Sequence, residues 1–68
     1  MKQSTYIEKV RQVDPQKVAK WQKLRPSIGT YVWIAEQTFR SRPVIHNAIN
    51  YGLATESTEQ NIDKLFGI

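Results

Sequence analysis

The sequence predicts an all-α fold, a compact bundle of about five short helices. Three observations carry that expectation. Apolar residues recur at helical spacing in several separate stretches. Cap and stop residues of suitable type (Ser, Thr or Asp before, Gly or Pro after) bracket those stretches. Strand signals are weak, and no turn dipeptide suggests a hairpin. With 68 residues the chain makes one small domain, 1–68, in three stretches: N-terminal helices in 1–26, a helix pair in 30–51 and a closing helix in 55–66.

Each element follows from local signals. Ser4 caps a first helix through Tyr6, Ile7, Val10 and Val13, with Glu8 near its start, where the helix dipole favours an acid. Asp14 and Pro15 restart the helix, Asp as cap and proline where no donor is needed. This second helix turns Val18, Trp21 and Leu24 inward and carries Lys17, Lys20 and Lys23 as a separate stripe. Pro26 ends it, because a proline pushes its predecessor away from helical angles. Ser27, Gly29 and Thr30 form a break. Tyr31 to Ala35 is the most apolar run, and it reads as helix because Glu36 and Gln37 continue it with good helix formers. Thr38 to Arg42 reads as a turn. Ser41 or Arg42 then caps a helix from Pro43 to Tyr51, and Gly52 stops it. In this helix Val44, Ile45, Ala48 and Ile49 fall within about 140° of one face at 100° per residue. Pro43, His46, Asn47 and Asn50 lie on the other side. Thr55 or Ser57 caps the last helix, and Ser57 with Gln60 has the spacing of a capping box. Ile62, Leu65 and Phe66 face inward, and Gly67 closes it. Trp21, Trp33 and Ile68 are assigned to the core.

Composition excludes most functions. A chain of this length lacks a deep substrate pocket and the support a catalytic constellation needs, so no enzyme and no small-molecule substrate are expected. Without cysteine there is no disulfide, thiolate metal site or thiol nucleophile. His46 has no second histidine or paired carboxylate near it in sequence, so no metal or cofactor is expected. No apolar run reaches the length of a signal peptide core or a membrane span, which makes a cytoplasmic protein the expectation. The charge is uneven. Residues 1–50 hold nine Lys or Arg against three acids, a net of +6; residues 51–68 hold Lys64 against three acids, a net of −2. Such asymmetry is the footprint of a polyanion binder, although a merely solvated surface also produces it.

A helix, a tight polar turn, and a helix with one apolar and one polar face make the outline of a helix-turn-helix. A small residue is needed where the helices cross, and Ala35 supplies it. A branched residue ten positions later, Ile45, locks the pair, and Ala48 adds a further contact. Ile34 and Ile49 complete that core. The stretch Val44-Ile45-His46-Asn47-Ala48-Ile49-Asn50-Tyr51-Gly52 resembles the recognition helix of phage Cro repressors. The stretch from Ala54 to Ile68 looks like the closing helix of the wider Cro/C1-type (Xre-like) helix-turn-helix family. The resemblance covers Thr30 to Ile68; residues 1–29 match no pattern.

The resemblance implies double-stranded DNA as partner, read by a homodimer on a palindromic operator, and a transcriptional repressor of phage or mobile-element type. It implies a cytoplasmic, nucleoid-associated protein, bacterial or phage-encoded. Carried over residue by residue, it makes Arg42, Pro43, His46 and Asn47 the base contacts. Tyr31, Arg40, Ser41, Asn50 and Lys23 become phosphate contacts. Ordinary helix polarity is the alternative for Arg42 and Asn47, and a partly buried aromatic the alternative for Tyr31. The dimer contact is expected either at the Leu65-Phe66-Ile68 end or on the Tyr6/Val10 helix. The family has glycine at the turn and an aliphatic residue after it; here Phe39 and Arg40 stand there. Either the turn has another shape, or Phe39 takes the aliphatic's place in the core over a shifted backbone. Two other functions fit a short basic chain. One is a DNA-bending excisionase, which usually adds a β-wing; the other is a protein-interaction module, an inhibitor or a subunit.

Overall fold

Asp14 accepts a hydrogen bond from the Gln16 amide at 2.9 Å and opens α1, Pro15–Ile28. In this computed structural model, which describes residues 8–68, three more helices follow. Thr30 caps α2, Tyr31–Thr38, through the Trp33 amide at 3.1 Å. Ser41 caps α3, Arg42–Tyr51, and Thr55 caps α4, Glu56–Phe66. In every case a short side-chain oxygen satisfies an amide that the first helical turn leaves free. Gly52 (φ 71°) and Gly67 (φ 78°) end α3 and α4 in the left-handed conformation that glycine enters without steric cost.

The described chain is therefore mostly helical, with four helices rather than five. Two two-residue strands complete it: β1, Arg11–Gln12, runs antiparallel to β2, Leu53–Ala54. Of the first predicted helix, Ser4, Tyr6 and Ile7 lie outside the described residues. The part through Val10 and Val13 is not helical. Here the backbone has a better partner: Arg11 pairs with Ala54, Gln12 with Leu53, and the Val13 amide donates to the Gly52 carbonyl at 2.7 Å. Val13 is buried by this pairing, whereas Val10 is exposed.

Pro26 does not end α1. It sits in the last turn, where a proline forfeits one donor but leaves the chain free to finish the helix. The turn is closed by the Gly29 amide on the Arg25 carbonyl at 2.9 Å, and the Arg25 guanidinium donates to the Gly29 carbonyl at 2.8 Å. Ser57 is not the cap of α4. Its amide and hydroxyl both donate to the Glu8 carboxylate, which ties the segment before β1 to the start of α4.

Trp21, Ile34, Ile45, Ile49 and Ile62 form the fully buried centre, and Val18, Ala48 and Phe66 pack around it. Leu24 and Leu65 lie half-buried against it. Two core assignments are corrected. Ile68 is 48% exposed beyond the end of α4. Trp33 is 41% exposed and lies across Gly29, where a Cβ would come within 2.8 Å of its ring. The indole thus packs on the Gly29 backbone at the surface instead of filling the interior.

The connection from α2 to α3 follows neither expected alternative. Phe39 keeps the left-handed geometry (φ 58°, ψ 40°), yet its side chain is 89% exposed. The turn is held by the backbone, with the Arg40 amide on the Ala35 carbonyl at 2.9 Å, and by Arg40 itself. The Arg40 guanidinium donates to Thr58 at 3.0 Å and Ser57 at 3.1 Å on α4. An inward-turned arginine occupies the side of the turn facing α4, and the phenylalanine is left outside.

Candidate nucleic-acid interface

α3 is divided sharply between two environments. Ile45, Ala48 and Ile49 are buried against α1 and α2, where Ile34 and Ala35 meet them, so all five residues expected at the helix-pair core lie together. Arg42, Pro43, His46, Asn47 and Asn50 are exposed on the opposite side. A helix with 3.6 residues per turn produces this split directly from the sequence pattern. Val44 lies between the two faces, 38% exposed.

Among the described residues, the side chains of Arg42 and Asn47 make no hydrogen bond or ion pair, and the His46 side chain engages its neighbours only by ring contacts. That ring lies 5.3 Å from the Tyr31 ring and 6.1 Å from the Tyr51 ring, centre to centre. Tyr31, at the start of α2, is fixed from two sides. The Arg25 guanidinium stands 4.6 Å above its ring, a cation–π distance. Asn50 Nδ2 donates to the Tyr31 hydroxyl at 3.0 Å and to the His46 carbonyl at 3.0 Å. Tyr31, Arg42, Pro43, His46 and Asn47 line a shallow notch of about 360 Å³. A second cleft of about 440 Å³ opens on the other flank of α3, among Val10, Val44, Leu53 and Asn47.

The other expected phosphate contacts differ in their freedom. Ser41 is exposed at the α3 N-terminus, its oxygen accepting the Val44 amide at 3.4 Å. Lys23 is exposed. Arg40 spends its donors on α4 and on the turn carbonyls, so its guanidinium is directed inward. The lysine stripe is broken as well. Lys17 binds Glu59 at 2.6 Å and Asp63 at 2.7 Å, whereas Lys20 and Lys23 point to solvent. Arg11 adds a bond to Glu59 at 2.8 Å, and the Trp21 indole donates to Asp63 at 2.9 Å. Asp63 and Glu59 together hold the Lys17 ammonium above its ordinary range. Lys17, and then Arg11, hold the Glu59 carboxyl below the usual carboxylate range. Two of the three acids in residues 51–68 are thus turned toward α1 and β1. Lys9, Lys20, Lys23, Arg42 and Lys64 are exposed and make no ion pair among the described residues.

Arg25 was not foreseen at this site. The available signal was its position in the last turn before the break, which returns the chain to Tyr31. Among the described residues there is no cluster of three or more metal-ligating side chains and no helix long and apolar enough to cross a membrane. No protein-family model, curated protein or solved structure matches the chain.

Proposed function

We propose that the protein binds duplex DNA sequence-specifically, with α2, the turn and α3 working as a helix-turn-helix and α3 entering the major groove. One observation carries this reading: α3 is locked to α2 by its apolar seam and presents Arg42, His46 and Asn47 outward with their side-chain donors free of partners among the described residues. Such donors match the major-groove code, Arg to guanine O6 and N7, Asn to adenine N6 and N7. His46 donates to a base acceptor or a phosphate. Ser41, Tyr31, Asn50 and Lys23 position the helix on the backbone, where contacts fix register without reading sequence. Arg40 holds the turn that sets the helix angle.

The biological role is that of a repressor of phage or mobile-element type, a homodimer occluding a palindromic operator, with half-sites about 34 Å apart. Selection of bound sequences from a random duplex pool tests it. A palindrome with that repeat supports the dimeric repressor, and an asymmetric site argues against it. The double substitution Arg42→Ala with Asn47→Ala is expected to abolish the preference; unchanged affinity and preference refute the recognition-helix assignment. The exposed Phe39 favours a second reading, a protein-interaction module, which gains if no duplex binding is found at low salt.

A further inference from the structure

Resting on the DNA-binding reading, we infer that the notch between Tyr31 and Pro43 receives the C5 methyl of a pyrimidine, normally thymine, beside the guanine that Arg42 reads. Pro43 lies within the base-facing side of α3 and has no side-chain donor or acceptor. It cannot read any nitrogen or oxygen of a base edge. The one apolar group the major groove offers is the thymine methyl. Tyr31 lines the same notch, with the His46 ring 5.3 Å from its ring. The Tyr31 ring is prepared before any ligand arrives. Arg25 covers the Tyr31 ring at 4.6 Å and Asn50 holds its hydroxyl at 3.0 Å, so the ring loses little freedom when something packs against it. The volume of about 360 Å³ is far larger than a methyl needs and is open to the surface, which suits the edge of a base and not an enclosed ligand.

The juxtaposition with Arg42 defines the step that is read. Arg42 and Pro43 are consecutive, both exposed, and both line the notch. A free guanidinium on one wall and a proline ring beside it fit two adjacent base pairs, guanine at one and a methylated pyrimidine at the next. Cytosine and uracil lack the methyl and leave the proline facing an unfilled gap. Thymine and 5-methylcytosine share the methyl and differ in the exocyclic group.

Operator duplexes obtained by selection test this with single-atom-group changes. Replacing the thymine next to the Arg42-read guanine by uracil is expected to weaken binding about fourfold, the transfer value of one buried methyl or methylene. Pro43→Ala retains the helix, since alanine is the best helix former, and is expected to shrink the thymine–uracil difference, because only the Cβ of the proline ring remains to meet the methyl. Tyr31→Phe keeps the discrimination and Tyr31→Ala loses it. Where selection returns cytosine at that position, methylating its C5 tightens binding by the same factor. Equal affinity of the wild-type protein for thymine and uracil operators overturns the inference, as does a Pro43→Ala variant that keeps the full difference. Both outcomes leave sequence-specific binding intact. A pool that yields no preferred sequence removes the DNA-binding reading itself, and this inference with it.

Discussion

On one side of the molecule Arg11, Lys17 and Trp21 meet Glu59 and Asp63; on the other, Arg42, His46 and Asn47 face solvent. The residue types overlap and the surroundings do not. Each cation of the α1–α4 side has a carboxylate within 2.8 Å, and each carboxylate there has at least two donors. That face is complete as it stands. The α3 face carries a guanidinium, an imidazole and an amide with no hydrogen-bond partner among the described residues. A basic residue count treats both alike. Only the fold separates charge used to hold the chain together from charge left available for a ligand.

The comparison can be broken from the structural side first. Trp21→Ala should cost about 3–5 kcal/mol in urea or thermal unfolding, because it empties the core centre and removes a donor from Asp63. Operator binding should fall with the fold. An only slightly lowered melting temperature would mean that this face is not the keystone described. Arg42→Ala should do the opposite. Operator affinity should drop by about 1–3 kcal/mol, tenfold or more, with stability unchanged within about 0.5 kcal/mol. Melting and anisotropy titrations on the same sample separate the two effects.

Smaller effects sharpen the contrast. Glu59→Gln should lower stability by about 1 kcal/mol at neutral pH, by analogy with other charge-assisted hydrogen bonds at partly exposed sites. Its pH dependence has a definite sign. The folded Glu59 carboxyl lies below its ordinary value of 4.5, so its contribution is complete above 4.5 and disappears as pH falls through the lowered value. The folded Lys17 ammonium lies above its ordinary 10.5, so its contribution is complete below 10.5 and fades as pH rises through the raised value. Unfolding curves from pH 2 to 7 should therefore be steeper for the wild type than for Glu59→Gln; parallel curves would show that the carboxylate contributes nothing to acid sensitivity. Finally, Phe39→Gly should raise stability by about 0.5–1 kcal/mol, since it relieves a left-handed phenylalanine at a modest entropic cost. A lower melting temperature would show that the exposed ring makes a stabilising contact.

Local chemistry made much of this architecture readable. Asp14, Gly52 and Gly67 act where the sequence places them, and the inward face of α3 follows from its spacing. Between Ser41 and Arg42, and between Thr55 and Ser57, the structure selects the first of each pair. What stayed hidden depends on distant parts of the chain. The β1–β2 pair is two residues long and joins Arg11 to Ala54, too short for an alternating pattern and too remote for a turn signal. Lys17 looks identical to Lys20 and Lys23 until Glu59 and Asp63 arrive beside it. Trp33 and Phe39 are apolar by type, yet one lies on the Gly29 backbone and the other on a left-handed turn, both at the surface. For the candidate site, the outward position of Pro43, His46, Asn47 and Asn50 was legible from helix phase, and Arg42 entered only through the family resemblance. The inward turn of Arg40 and the bracing of Tyr31 by Arg25 were not, because neither is a property of one helix.

The partners of α1 also set a timetable for synthesis. Lys17 and Trp21 emerge from the ribosome well before their acceptors; Asp63 follows Lys17 by 46 residues. At about 5–20 residues per second, α1 waits roughly 2–9 s with an unpaired ammonium and an unpaired indole N–H. During that interval α2 and α3 can already meet and α1 can pack against α3, but the carboxylates that Lys17 and Trp21 bind are still missing. The Lys17 ammonium and the Trp21 indole N–H are therefore satisfied only when α4 has been made, so the α1–α4 polar contact completes the fold after the helix pair has formed.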